Sequence, residues 1–143
     1  MRAIGLVGLG QMGSGMAVQL VRAGFAVHAY AIESVTAPGA IGDRLPRGGT
    51  HILMGTVGLE CVDTIEAEHR RREQNFVLAP VFGRPQEAAA GDLTIVASKP
   101  GLEGVRDVLR AFGTRFHEVE STRAACVAKL AGNELIGSAI AAM

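Results

Sequence analysis

The chain is poor in cysteine and carries no excess of either charge, and each shortage removes a class of protein. Its two cysteines, Cys61 and Cys126, stand in 143 residues. They are too few for a disulfide framework and sit in no metal-ligand spacing, so no metal site is expected. Both fall in expected helices and read as buried or half-buried thiols of a reducing, cytoplasmic compartment. Lys and Arg total 14 against 14 Asp and Glu. A neutral chain suits neither nucleic acid nor an anionic membrane as partner. The one basic run, Arg70-Arg71-Arg72, lies near the end of an expected helix and reads as a solvated terminus complementing the helix dipole. The apolar run over residues 4–9 is short, broken by glycine and without a cleavage-type tail, unlike a secretory leader.

Glycine, by contrast, is abundant: 19 of 143 residues, about double the usual share. The glycines gather in turns on either side of apolar runs, as βα folds require. Residues 3–7 form a fully apolar run suited to a buried parallel strand. It breaks at Gly8-Leu9-Gly10-Gln11-Met12-Gly13, after which Met12, Met16, Leu20 and Val21 recur at helical spacing, with Gly24 placed as a C-terminal cap. Residues 25–30 read as a second strand, and 33–49, rich in Pro and Gly, as loop. Further strands are expected at 51–55, 75–79 (ended by Pro80), 92–97 and 115–119. Helices are expected at 58–73, 102–112 and from about 122 to 143. The helix at 102–112 is the most clearly amphipathic, with Val105, Val108, Leu109 and Phe112 on one face. The last is apolar nearly all round, so it is expected to be buried against something larger than one sheet face. Lys129, Asn133 and Glu134 near its middle argue against a membrane span.

This order describes an α/β, Rossmann-like parallel-sheet domain with a reduced number of βα units, ending in a long apolar helix. In the context of strand, turn and helix, the Gly-x-Gly-x-x-Gly pattern points to a dinucleotide. The first glycine allows the tight turn, the second lets backbone approach a pyrophosphate, and the third lets helix and strand pack closely. The anion would rest on the N–H groups of the helix start. Glu33, just after Ile32, lies about where an acidic residue would take a ribose 2′-hydroxyl. It reads equally as a solvated loop carboxylate, so NAD and NADP both stay open.

Five ordered segments carry a more specific likeness. Residues 8–17, Gly-Leu-Gly-Gln-Met-Gly-Ser-Gly-Met-Ala, lead; Met54-Gly55-Thr56-Val57, Ala79-Pro80-Val81-Phe82-Gly83, Gly91-Asp92-Leu93-Thr94 and Lys129-Leu130-Ala131-Gly132-Asn133 follow. Together they resemble the β-hydroxyacid dehydrogenase family, which includes the 3-hydroxyisobutyrate dehydrogenases and is related to the imine reductases. The resemblance implies hydride transfer between nicotinamide and a hydroxyacid or related carbonyl. Lys129 would be the proton-transfer residue, with Asn133 one turn on orienting substrate. Gly8, Leu9, Gly10, Gln11, Met12, Gly13, Ile32, Glu33 and Thr56 would hold the cofactor. Gly55, Phe82, Gly83 and Arg84 would line the substrate, with backbone N–H groups near Gly83 facing its carboxylate. A lysine in an apolar wall has its charged form disfavoured, which suits proton transfer. The bland alternative for Lys129 is a side chain that snorkels from an apolar helix.

The departures from the family are as informative. Gly55 stands where the family has a serine, and Phe82 where serine is frequent, which suggests a bulkier or less anionic substrate. Residues 31–50 replace the family's further βα units, with Leu45-Pro46 either a remnant of its cofactor-side turn or part of the Leu-x-x-Gly lead into the next strand. The division expected is residues 1–121 as the nucleotide-binding domain and 122–143 as the start of the interdomain helix, with the family's C-terminal helical domain absent. That leaves a small-molecule enzyme, homo-oligomeric through its last helix, or a non-catalytic nucleotide-binding or dimerisation fragment of one.

Overall fold

The computed structural model describes residues 2–8, 10–30 and 41–142. Three parallel strand–helix–strand units make up most of the chain. The first is β1 (Ala3–Val7), α1 (Gln11–Arg22) and β2 (Ala26–Tyr30), with Ile4 opposite Val27. After a short helix α2 (Ile41–Arg44) comes the second, β3 (Thr50–Leu53), α3 (Leu59–Arg71) and β4 (Asn75–Leu78), with Ile52 opposite Val77. A two-residue strand β5 (Val81–Phe82) and helix α4 (Pro85–Ala90) lead to the third. It runs through β6 (Thr94–Ser98), a 3-10 turn at Leu102–Gly104, α5 (Arg106–Arg110) and β7 (Arg115–Val119). Helix α6 (Thr122–Ala141) closes the chain. The fold is the Rossmann-like α/β domain expected.

The strands bond as three groups: β1 with β2, β3 with β4, and β6 between antiparallel β5 and parallel β7. Single bonds tie β4 and the residues just after it to β6, through Leu78 N–H to Ser98 Oγ and Val96 N–H to the Pro80 carbonyl. A common apolar core fastens the rest. Leu20, Val77, Leu93, Ile95, Leu109 and Phe112 are buried together, and Ile4, Val27 and Ile52 pack against them from β1, β2 and β3, with Met54 just after β3. A second cluster, with Val62, Ile65, Leu78 and Cys126, seats α3 and α6 on the other face. Helix α1 lies against α4, where Gly15 brings the backbones together; a Cβ there would stand 2.8 Å from Ala89 N. Gly24 (φ 84) follows α1 in the left-handed conformation, as its placement predicts.

Several expectations need correction. Within the expected loop at 33–49, residues 41–44 form a helical turn, and 31–40 lie outside the described residues. The expected helix over 102–112 is broken: Gly104 weakens it and Val105 leaves helical geometry (φ −135, ψ 6). Its apolar face is nonetheless buried as read. Strand β4 stops at Leu78, just before Pro80, and two elements not foreseen follow: β5, and α4 with Pro85 at its first helical position. Cys61 is exposed, because the buried stripe of α3 is Val62, Ile65 and His69 and Cys61 falls beside it. Arg70 and Arg71 are solvated, but Arg72 is drawn in between Asp43 and Glu68. Helix α6 is buried only at Thr122, Ala125 and Cys126, whereas Leu135 is 73% and Ile140 67% exposed. By length and composition it is the one helix among the described residues that matches a membrane span.

A buried polar chain was not foreseen. His51 Nδ1 lies 2.8 Å from His69 Nε2, and His69 Nδ1 lies 2.8 Å from Gln74 Oε1. The Gln74 amide donates to the carbonyls of Gly42 and Leu45, which leaves its oxygen to accept. His69 therefore donates from Nδ1, and a neutral ring must accept at Nε2 from the Nδ1–H of His51. The two rings and Phe76 are mutually packed, so this chain pins α2 to the second unit.

Candidate functional site

At the carboxyl end of β1 the backbone turns sharply into α1. Gly8 takes φ 88, which a side chain would strain, and a Cβ on Gly13 would collide with the Gly8 carbonyl oxygen. Among the described residues the space in front of the turn is open: a Cβ on Gly8 or Gly10 would meet none of them within 4 Å. The first helical bond runs from Ser14 N–H to the Gly10 carbonyl, so the N–H groups of Gln11, Met12 and Gly13 precede the ladder. Among the described residues no side chain caps this end, and no acidic residue stands in the first turn. Open space, forward N–H groups and a positive helix end are what a pyrophosphate requires. The residues fit a dinucleotide.

The second feature lies where the loop after β3 meets α6. Gly55, Thr56 and Val57 face Leu78, Pro80, Cys126 and Lys129 across a narrow, open cleft. Three contacts set α6 against this loop and α3. Cys126 Sγ donates to the Val57 carbonyl at 3.3 Å, Thr122 Oγ1 donates to Glu66 at 2.7 Å, and Arg123 pairs with Asp63. Ser121 starts the helix by accepting the Ala124 N–H at 3.1 Å. Lys129 is half-buried, its ammonium 4.1 Å from the centroid of the Phe82 ring. Burial holds its pKa below the ordinary lysine value.

The structure thus gathers Gly55, Thr56 and Lys129 around one cleft, with Phe82 against the lysine. Gly8, Gly10, Gln11, Met12 and Gly13 form the separate turn at β1. Asn133 follows Lys129 by one helical turn and is exposed. Gly83 and Arg84 are exposed beyond β5, and the Arg84 N–H is already given to the Glu87 carboxylate, which leaves it unavailable to a substrate carboxylate. Leu9, Ile32 and Glu33 lie outside the described residues. Sequence reading missed Cys126 as a wall of the cleft. Its only signal was a position three residues before Lys129, on the same helical face.

The fold and glycine turn define a dinucleotide-binding Rossmann domain. The chain belongs to the family of the NAD binding domain of 6-phosphogluconate dehydrogenase, whose pattern it matches over residues 3–43 and 31–128. The cofactor of this domain is NAD or NADP. The chain is 31% identical over 104 residues to the uncharacterized oxidoreductase YfjR of Bacillus subtilis, covering 71% of this chain and 36% of that protein. It is 28% identical over 178 residues to the NAD-dependent L-serine dehydrogenase of Pseudomonas aeruginosa, covering 95% of this chain and 60% of the relative. That aligned stretch is longer than the whole 143-residue chain, so the relative carries residues inside it with no counterpart here. Among solved structures, 3-hydroxyisobutyrate dehydrogenase from Salmonella typhimurium superposes with a TM-score of 0.89 at 21% identity. The match takes in 99% of this chain and 65% of that one, and shows a shared fold. The chain spans at most about 60% of the length of these curated relatives.

Proposed function

We propose that this chain is the nucleotide-binding and proton-transferring part of an NAD(P)-dependent oxidoreductase of the β-hydroxyacid dehydrogenase type. One observation carries the reading: a half-buried lysine with a depressed pKa faces Thr56 and Gly55 at the carboxyl end of a parallel strand. That is the edge at which such sheets bind ligands. When bound, the nicotinamide supplies the hydride acceptor or donor. Gly8 to Gly13 would hold the pyrophosphate, Thr56 would meet the nicotinamide side, and Ile32 and Glu33, outside the described residues, would be the candidates for the ribose. In the oxidative direction the carbinol carbon gives up its hydride as the hydroxyl proton passes to the neutral amine of Lys129. In reduction the lysine ammonium returns that proton to the carbonyl oxygen. Asn133 orients the substrate, with Gly55, Phe82, Gly83 and the Arg84 guanidinium as its walls.

On this reading residues 1–121 are the nucleotide domain, and 122–143 the helix that leads out of it. The exposed face of α6, with Leu135, Ile136 and Ile140, pairs two copies in the cytoplasm. A second reading, a non-catalytic nucleotide-binding or dimerisation module, draws support from the smallness of the cleft. No water-sized sphere fits between its walls, whereas ligand pockets usually enclose about 300–1,000 Å³.

The deciding experiment titrates the protein with NADPH and NADH by nicotinamide fluorescence, beside its mass in solution, then screens hydroxyacids against a Lys129→Ala control. Micromolar binding with turnover lost in Lys129→Ala supports the enzyme. Binding without turnover selects the module, and no binding by a folded protein sinks both. Preference for NADH supports Glu33 as the ribose contact.

A further inference from the structure

We propose that Phe82 is the positioning residue for Lys129, its ring face fixing the ammonium at the wall of the cleft. This rests on reading Lys129 as the proton-transfer residue. The ring is itself held on two sides. Strand β5 ties Phe82 into register opposite Thr94 of β6. On the other side the ring lies flush on α6 at Gly132, where an added Cβ would stand 2.6 Å from its Cε1 and Cζ. The glycine three residues beyond Lys129 is therefore what admits the ring beneath the lysine. With Nζ 4.1 Å from the centroid, the ammonium sits over the negative face of the π-system.

No other charge among the described residues performs this task. Among the described residues Lys129 makes no salt bridge, and burial is the sole cause of its lowered pKa. Arg123, the other cation of α6, is paired with Asp63. Burial disfavours the ammonium and the ring favours it, so the ring offsets part of the desolvation and fixes where the proton is held. The serine hydroxyl that the family resemblance implies at this position offers a hydrogen bond but no such platform. The departure at Phe82 thus changes how the lysine is held as well as how much room the substrate has.

Lys99 and Lys129 are the chain's only lysines, which makes the test direct. In protein labelled with ε-13C-lysine, two side-chain signals titrate, and Lys99, ion-paired with Glu120, is the internal reference. In the wild type the Lys129 ε-methylene protons are expected upfield of those of Lys99, shifted by the ring current of Phe82. Phe82→Leu, apolar and of similar bulk, is expected to lower the Lys129 pKa by about half to one pH unit and leave Lys99 unmoved. Phe82→Tyr, which keeps a ring, should retain the wild-type titration. The wild-type ring-current shift needs no variant to fold. An unshifted wild-type signal, or the same Lys129 titration in Phe82→Leu as in wild type, overturns the proposal. All of this is read without nucleotide or substrate. Unimpaired turnover by Lys129→Ala would sink the proton-transfer role and leave the Phe82 contact standing.

Discussion

Acidification from pH 7.5 to 5 is expected to cost the fold about 2 kcal/mol through one side chain, His51. Burial, with a smaller contribution from neighbouring His69, depresses its pKa from 6.5 to about 4. The ring is 7% exposed, and this burial disfavours its charged form, so the folded protein holds it neutral. In the unfolded chain the same ring takes up a proton near pH 6.5. Stability from this group is therefore complete above pH 6.5 and lost as pH falls toward 4, where the loss reaches about 3 kcal/mol. The carboxylates of Glu68, Asp107 and Glu118, whose pKa values are lowered chiefly by hydrogen bonds from arginines, act in the same sense. They do so only below the ordinary carboxylate range, so the window from pH 7 to 5 belongs to histidine. The chain has no tryptophan, and urea unfolding followed by far-UV circular dichroism is the suitable assay. With a slope of about 1–3 kcal/mol per molar, the midpoint should fall by about 1 M between pH 7.5 and 5. A proton NMR titration should place the His51 ring transition near pH 4. A midpoint that does not move over this interval, or a His51 ring that titrates at its ordinary pH, would refute the reasoning.

Two further outcomes follow from backbone geometry. Gly13→Ala forces the Gly8 carbonyl away from the start of α1. It should weaken nucleotide binding by tenfold or more in a fluorescence titration, with about 1–3 kcal/mol lost from stability. Ser121→Ala removes the cap of α6 and should lower the melting temperature by about 3 °C, for about 1 kcal/mol. Nucleotide affinity at the distant glycine turn should be unchanged.

The local patterns legible in the sequence were those that one element decides alone. β1 and β7 have the expected bounds because their turns and apolar runs coincide, and α1 is framed by Gly10 and Gly24. The glycine turn could be read with its chemistry because φ 88 at Gly8 and the close approach at Gly13 are properties only glycine supplies. What escaped depended on partners far along the chain. The His51–His69–Gln74 chain joins residues 18 and 5 apart, and nothing in their spacing announces it. The two-residue β5 exists through its register with β6, so periodicity has no length in which to show. The apolar composition of α6 was read as burial all round. Composition states only that a helix can be buried, and the buried part is the first turn and a half, where α3 and the loop after β3 meet it.

The two halves of the candidate site are held by different means, and this bears on how the molecule would work. The cleft at Lys129 is stitched by direct bonds between α6, α3 and the Val57 loop. The glycine turn belongs to the β1–β2 pair, which shares no ladder with β3 among the described residues. Its distance from Lys129 is set by side chains: Ile4 and Val27 from one pair, Ile52 and Met54 from the other, against a common core. Apolar packing is dense but non-directional, so it resists separation more strongly than small sliding. A dinucleotide spanning Gly10 and Thr56 would supply the missing directional link between the pairs. Its binding free energy would then be spent partly on fixing their relative position, and hydride transfer from a nicotinamide at Thr56 would depend on contacts made at the far end of the cofactor.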